Sequence, residues 1–231
     1  MRRAVLVSCV AALLGVVAPA ARATPARAAL EHEPVLLVHG FGGSGSGWRA
    51  MVTSLRAAGW PADAVDAMTY DSHRSNVEIA DVIAREAAAL RARTGATAID
   101  VVSHSMGAIA SRYYLERLGG AAHVDAWVSL AGVNRGTWLA YGCYALAPCR
   151  EMAPSSSLLD QLNAQFPPAG RTRYATWWSP CDRDILPTSN AKLPGATNHE
   201  TTCLGHSALK SDPTVLREVE RFLVGARAHS S

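Results

Sequence analysis

The sequence predicts an α/β fold, a mostly parallel central sheet with helices on both faces. Three observations predict it. The short continuous apolar run Val35–Val38, and Ile99–Val102, apolar apart from Asp100, fit strands buried on both faces. Segments with helical spacing of apolar residues alternate with those runs. The runs end in glycine, serine or aspartate, on the edge where such sheets hold their sites.

The elements follow in order. After Val35–Val38 comes a glycine-rich loop, His39-Gly40-Phe41-Gly42-Gly43, continuing to Gly47. Trp48, Met51, Val52 and Leu55 then recur at helical spacing, and Gly59 closes that helix. Residues 64–70 form a weaker strand pattern. A helix is expected over residues 76–93, with Ile79, Val82, Ile83, Glu86 and Leu90 on a mostly apolar stripe and Gly95 at its end. Ile99–Val102 is the next strand, and residues 108–118 read as the helix that follows it. Residues 126–130 and 173–178 are further strands. Asp212 and Pro213 suit the N-cap and first turn of a last helix, whose buried face is Val215, Leu216, Val219, Phe222 and Leu223.

The chain has 231 residues, enough for one domain with a full core. Its 49% hydrophobic and 18% charged residues fit a packed globular protein. The net charge of +3 is too small and too scattered to argue for nucleic acid or an anionic membrane. Residues 1–28 read as a secretory signal peptide: Arg2 and Arg3, an apolar stretch from Ala4 to Val17, then Ala21-Arg22-Ala23 and Ala26-Arg27-Ala28. Cleavage after Ala23 or after Ala28 fits, and residues 29–231 form the single domain. The apolar stretch is shorter than the roughly 20 residues of a membrane span. An exported, secreted protein is expected, acting as a monomer.

Export leaves Cys143, Cys149, Cys181 and Cys203, an even set that reads as two disulfides. Of the three pairings, sequence proximity favours Cys143–Cys149, with Cys181–Cys203 by elimination. Free buried thiols are the alternative. No paired cysteine or histidine spacing suggests zinc, and neither a metal nor a cofactor is expected.

The chemistry centres on Ser103-His104-Ser105-Met106-Gly107. A strand, a tight turn with serine at its apex and a helix make a nucleophile elbow, with Ser103 where the pattern usually has glycine. The bland alternative is a serine that merely caps a helix. Ser105 needs a base. His206, between the last strand region and the final helix, is best placed, ahead of His123, His199 and His229. The acid that holds the imidazole tautomer follows residues 173–178, as both Asp182 and Asp184 do; Asp182, adjacent to Cys181, is favoured. A Cys181–Cys203 bridge would tie the acid loop to the base loop. The oxyanion would be held by the N–H groups of Met106 and Phe41, the latter freed by flanking glycines. The glycine loop lacks the Lys-Ser/Thr of a phosphate loop and the spacing of a dinucleotide site. His39 is expected to order that loop by hydrogen bonds, and His104 to pack.

Five segments carry a resemblance: PVLLVHGFGG (34–43), DVVSHSMG (100–107), LAGVNRGT (130–137), WSPCD (178–182) and CLGHS (203–207). In these the chain resembles the small secreted bacterial lipases of the α/β-hydrolase fold. The resemblance implies a Ser105–Asp182–His206 triad, an oxyanion hole at Phe41 and Met106, and hydrolysis of carboxylic esters, triacylglycerols included, without a cofactor. The partner expected is a lipid or ester substrate, at an oil–water interface for a lipase. The triad alone does not separate a lipase from a polyester depolymerase or acyltransferase, and a non-catalytic binding protein is the reading from another class. The connection over residues 136–172, about 35 residues, is long for a loop and a candidate lid. Within it Trp138 and Tyr141, with Leu139, Tyr144 and Leu146, either line an acyl site or pack beneath a Cys143–Cys149 staple.

Overall fold

The computed structural model describes residues 31–225; the signal-peptide reading and His229 lie outside them. Six strands form one sheet: β1 (Val35–Val38), β2 (Val65–Ala67), β3 (Ile99–His104), β4 (Val124–Leu130), β5 (Arg173–Trp178) and β6 (Thr197–Glu200). Their order is β2-β1-β3-β4-β5-β6, and every neighbouring pair is parallel. Helices are α1 (Arg49–Ala57), α2 (Asn76–Thr94), α3 (Gly107–Arg117), α4 (Ala147–Met152), α5 (Ser157–Ala164) and α6 (Pro213–Val224).

The pleat sorts the apolar runs into two cores. Leu36, Val38 and Val101 face one cluster with residues of α2 and α3, such as Ile83 and Ile109. Val35, Leu37 and Val102 face a second, with Met51 and Leu55 of α1 and Val215 and Val219 of α6. A run buried on both faces is what continuous hydrophobicity requires, and β1 and β3 are buried at every residue.

Helix ends follow local chemistry. Ser75 and Glu78 form a reciprocal capping box at the start of α2, and Gly95 ends it at φ 72°. The Asp212 side chain accepts from Thr214 and Val215 N–H, with Pro213 in the first turn of α6.

Two expectations need adjusting. The strand expected over residues 64–70 narrows to Val65–Ala67. A sixth strand, Thr197–Glu200, was not expected from the sequence: its residues TNHE are polar and largely exposed, so an edge strand leaves no apolar run. Both disulfides form as expected, Cys143–Cys149 and Cys181–Cys203.

The chain steps from β1 out to β2 and returns to β3 on the other side of β1. That reversal is a topological switch point, where loops at the strands' carboxyl ends diverge and leave a crevice. The glycine loop after β1 and the elbow after β3 meet there.

Candidate active site

The elbow is a strained turn. Ser105 has φ 55°, in the left-handed region, and follows β3 directly. Its N–H donates to Leu130 O at 3.1 Å, and its own carbonyl accepts from Ala108 and Val133 N–H, each at 3.1 Å. The turn is therefore clamped to the ends of β3, β4 and α3. Close packing explains two glycines. A Cβ at Gly107 would lie 2.4 Å from His39 O, and one at Gly40 would lie 2.7 Å from Ser105 Cβ. Ser103 is tolerated where glycine is usual because its hydroxyl is buried and donates to Val128 O at 2.9 Å.

Among the described residues, the turn and loop bonds pass over the N–H groups of Phe41 and Met106. Gly43 N–H donates to Gly40 O at 3.1 Å and Gly42 N–H to Ser72 Oγ at 2.8 Å, so neither loop bond takes the Phe41 N–H. In the elbow, Ser105 and Ala108 donate, and Met106 N–H does not join them.

His39 orders the glycine loop, as expected. It is buried, stacks on Tyr70 with ring centroids 3.9 Å apart, and donates from Nδ1 to Gly40 O at 2.8 Å. Tyr70 N–H donates to its Nε2 at 3.3 Å, which fixes a neutral tautomer, and burial lowers its pKa. His104 packs, also as expected. It is buried and donates from Nε2 to His206 O at 3.1 Å, and burial holds its pKa well below the usual histidine value.

His206 carries the contacts of a positioned base. Its Nδ1 lies 2.8 Å from Asp182 Oδ2 and 3.1 Å from Oδ1. Asp182 is buried and its Oδ1 also accepts from Asp184 N–H at 2.8 Å and Ile185 N–H at 3.1 Å. Asp184 instead approaches the other ring nitrogen, Oδ2 to Nε2 4.0 Å, with its side chain 57% exposed. The two aspartates thus divide between the two ring nitrogens. His199 is elsewhere, on β6 and stacked on Trp177.

The loops that carry Asp182 and His206 are tied together twice. The Cys181–Cys203 bridge joins the residues just before each. Ser179 Oγ, which the sequence reading passed over, accepts from Cys181 and Leu204 N–H at 3.1 and 2.9 Å and donates to Leu204 O at 2.7 Å. Buried Arg112 was also missed. It reaches from α3 to Asn134 O at 3.2 Å and to Leu162 O of α5 at 2.7 Å, bracing the elbow helix. An arginine inside an apolar helix pattern gives no sequence signal of such a role.

Ser105 and His206 open on one cavity of about 430 Å³, bounded by Phe41 of the glycine loop and by Leu139, Ala140 and Cys143 from the 136–172 segment. Trp138 and Tyr141 do not line it; they are 61% and 56% exposed. Residues 138–143 are a 3-10 helix, where residues three apart share a face. Trp138, Tyr141 and Tyr144 fall on the solvent side, while Ala140 and Cys143 fall on the cavity side. As to metals, the grouping of possible ligands among the described residues is Asp182, Asp184 and His206, with ligand atoms within 4.8 Å. Two of the three, Asp182 and His206, are already hydrogen-bonded to each other.

The family model for class 2 lipases matches residues 32–217. The chain belongs to the class 2 lipase family. Solved structures place this chain in the α/β-hydrolase fold. It superposes on the mature lipase BlEst2 of Bacillus licheniformis with TM-score 0.70 at 18% identity, covering 84% of this chain and 92% of that one. For lipase B of Aspergillus fumigatus the values are 0.71 and 16%, covering 83% and 52%. For the esterase RhEst1 of Rhodococcus sp. ECU1013 they are 0.55 and 16%, covering 84% and 91%. Family and fold together make it a carboxylic ester hydrolase. Among the described residues, no helix is long and apolar enough to cross a membrane.

Proposed function

We propose that this protein is a secreted serine lipase that cleaves carboxylic esters, triacylglycerols among them, through an acyl-enzyme on Ser105. The observation that carries the reading is His206 held at Nδ1 by buried Asp182, on a cavity into which the strained Ser105 also opens. Ser105 Oγ attacks the ester carbonyl and gives its proton to His206 Nε2. The carbonyl oxygen becomes an oxyanion, stabilised by the N–H groups of Phe41 and Met106. The intermediate collapses, the C–O bond to the alcohol breaks, and Nε2–H protonates the leaving oxygen. Water then attacks the acyl-enzyme with His206 again as base. The carboxylic acid leaves and ionises in solvent, and His206 returns the proton to Ser105. Asp182 fixes the Nδ1–H tautomer and stabilises the imidazolium formed at each step.

Two features support the finer parts of the reading. The basic, apolar, then small-residue N-terminus and two disulfides accord with export. Trp138, Leu139, Tyr141 and Tyr144, each between 48% and 61% exposed beside the cavity, accord with substrate presented at an apolar interface. Ser105→Ala is expected to lower turnover of p-nitrophenyl butyrate by roughly 10⁴-fold or more while the fold is kept. Hydrolysis by that variant at the wild-type rate would sink the assignment. Initial rates on emulsified long-chain triacylglycerol against soluble short-chain esters separate lipase from esterase, and activity confined to the soluble esters would overturn the lipase part.

A further inference from the structure

Lys210 ends the short helical stretch that begins at His206, and it lines the same cavity as Ser105. Its Nζ lies 5.9 Å from the ring centroid of buried Trp48. That Nζ also lies against the glycine stretch after β1, 3.4 Å from where a Cβ at Gly47 would sit. Among the described residues, no carboxylate lies within ion-pair distance of it. Asp184, the carboxylate that shares the cavity, sits beside His206 Nε2 instead. The nearby His39 and His104 are both held neutral by burial and bring no negative charge.

Burial without a counter-ion disfavours the ammonium and lowers its pKa. Desolvating a charge is costly unless an opposite charge restores the lost interaction. The cavity gains nothing from such a cation when its ester substrate is neutral. A substrate that carries a negative group supplies the missing partner.

We propose that Lys210 is a specificity-determining residue: its ammonium is an anion subsite of the catalytic cavity, selecting esters that bear a carboxylate or phosphate close to the scissile bond. This rests on the reading of Ser105 and His206 as the reacting pair. The competing role for the side chain is purely structural, its stem covering Trp48 and its head reaching water.

The test compares kcat/KM on two substrate pairs for wild type, Lys210→Met, Lys210→Arg and Lys210→Glu. One pair places the anion on the acyl side, the p-nitrophenyl monoester of glutarate against p-nitrophenyl pentanoate. The other places it on the alcohol side, meta-acetoxybenzoate against phenyl acetate. For at least one pair, the anionic-to-neutral ratio is expected to fall about tenfold in Lys210→Met, the loss of one charge-assisted hydrogen bond, and further in Lys210→Glu. Lys210→Arg keeps the charge and is expected to hold the ratio within about threefold. The wild-type preference is expected to shrink as NaCl is raised to about 0.5 M. The responding pair identifies the side on which the anion sits. Ratios unchanged in Lys210→Met for both pairs, including a parallel loss on all four esters, would overturn the subsite. Wild-type enzyme inert towards all four, the neutral esters included, would overturn the Ser105 reading as well.

Discussion

Replacing Asp182 by asparagine should turn the site's own hydrogen bonds against catalysis. Asp182 Oδ1 accepts two backbone N–H groups, from Asp184 at 2.8 Å and Ile185 at 3.1 Å, while Oδ2 lies 2.8 Å from His206 Nδ1. Only an oxygen can satisfy the two backbone donors. In Asp182→Asn the carboxamide oxygen therefore stays with them, and the NH₂ is left facing His206. It donates to Nδ1, the ring proton moves to Nε2, and Nε2 loses the lone pair needed for the Ser105 proton. The expected loss in kcat/KM is about 10⁴-fold, equivalent to about 5 kcal/mol of transition-state stabilisation. Both backbone hydrogen bonds survive, so unfolding free energy should change by less than about 1 kcal/mol. Asp184→Asn is the matched control. Its carboxylate is 57% exposed and 4.0 Å from Nε2, and an exposed pair of that kind contributes about 0–1 kcal/mol, or less than about fivefold in rate. The assay is p-nitrophenyl butyrate hydrolysis near neutral pH, with thermal unfolding in parallel. An Asp182→Asn enzyme within tenfold of wild type, or an Asp184→Asn enzyme more damaged than it, would refute the reasoning.

Three further outcomes are expected. Gly40→Ala puts a methyl 2.7 Å from Ser105 Cβ and 3.2 Å from its Oγ, so the serine or the loop must shift; kcat/KM should fall about 100-fold, and wild-type kinetics would contradict the packing. Removing Cys181–Cys203, which spans 22 residues, should cost about 3.4 kcal/mol of stability by loop-closure entropy, against about 2.2 kcal/mol for Cys143–Cys149, which spans 6; denaturant unfolding of the two alanine pairs checks the order. Trp138→Ser combined with Tyr141→Ser should lower the ratio of emulsion to soluble-ester activity several-fold by removing exposed apolar area, and an unchanged ratio would count against interfacial docking through these residues.

Much of the fold was legible because burial writes itself into periodicity. Val35–Val38 and Ile99–Val102 are apolar at nearly every position because both sheet faces are covered. The ends of α2 and α6 were legible through Gly95, Asp212 and Pro213, whose backbone roles are local. Thr197–Glu200 was not, because an exposed edge strand owes its pairing to backbone hydrogen bonds with β5 and buries little. In the site, His206 could be ranked by chain order and Asp182 by its place beside Cys181, but the sequence does not record which way the Asp182 and Asp184 side chains turn. That direction is set by the N–H groups of residues 184 and 185, which no residue spacing records. Trp138 and Tyr141 illustrate the same gap. The composition of residues 138–146 marks an apolar segment, but the rotational phase of its 3-10 helix decides that Ala140 and Cys143 meet the cavity and the aromatic rings meet solvent. Lys210 has no motif at all and emerges only when the chain brings it to the cavity of Ser105.

The central claim, that Ser105 is the nucleophile of this lipase, is tested most directly by reacting the folded protein with a fluorophosphonate and locating the adduct by peptide mass spectrometry. A single adduct on Ser105 is expected, absent in Ser105→Ala and strongly slowed in His206→Ala, because the phosphonylation uses the same base. An adduct on another serine, labelling that persists in Ser105→Ala, or no labelling of folded wild type would contradict it.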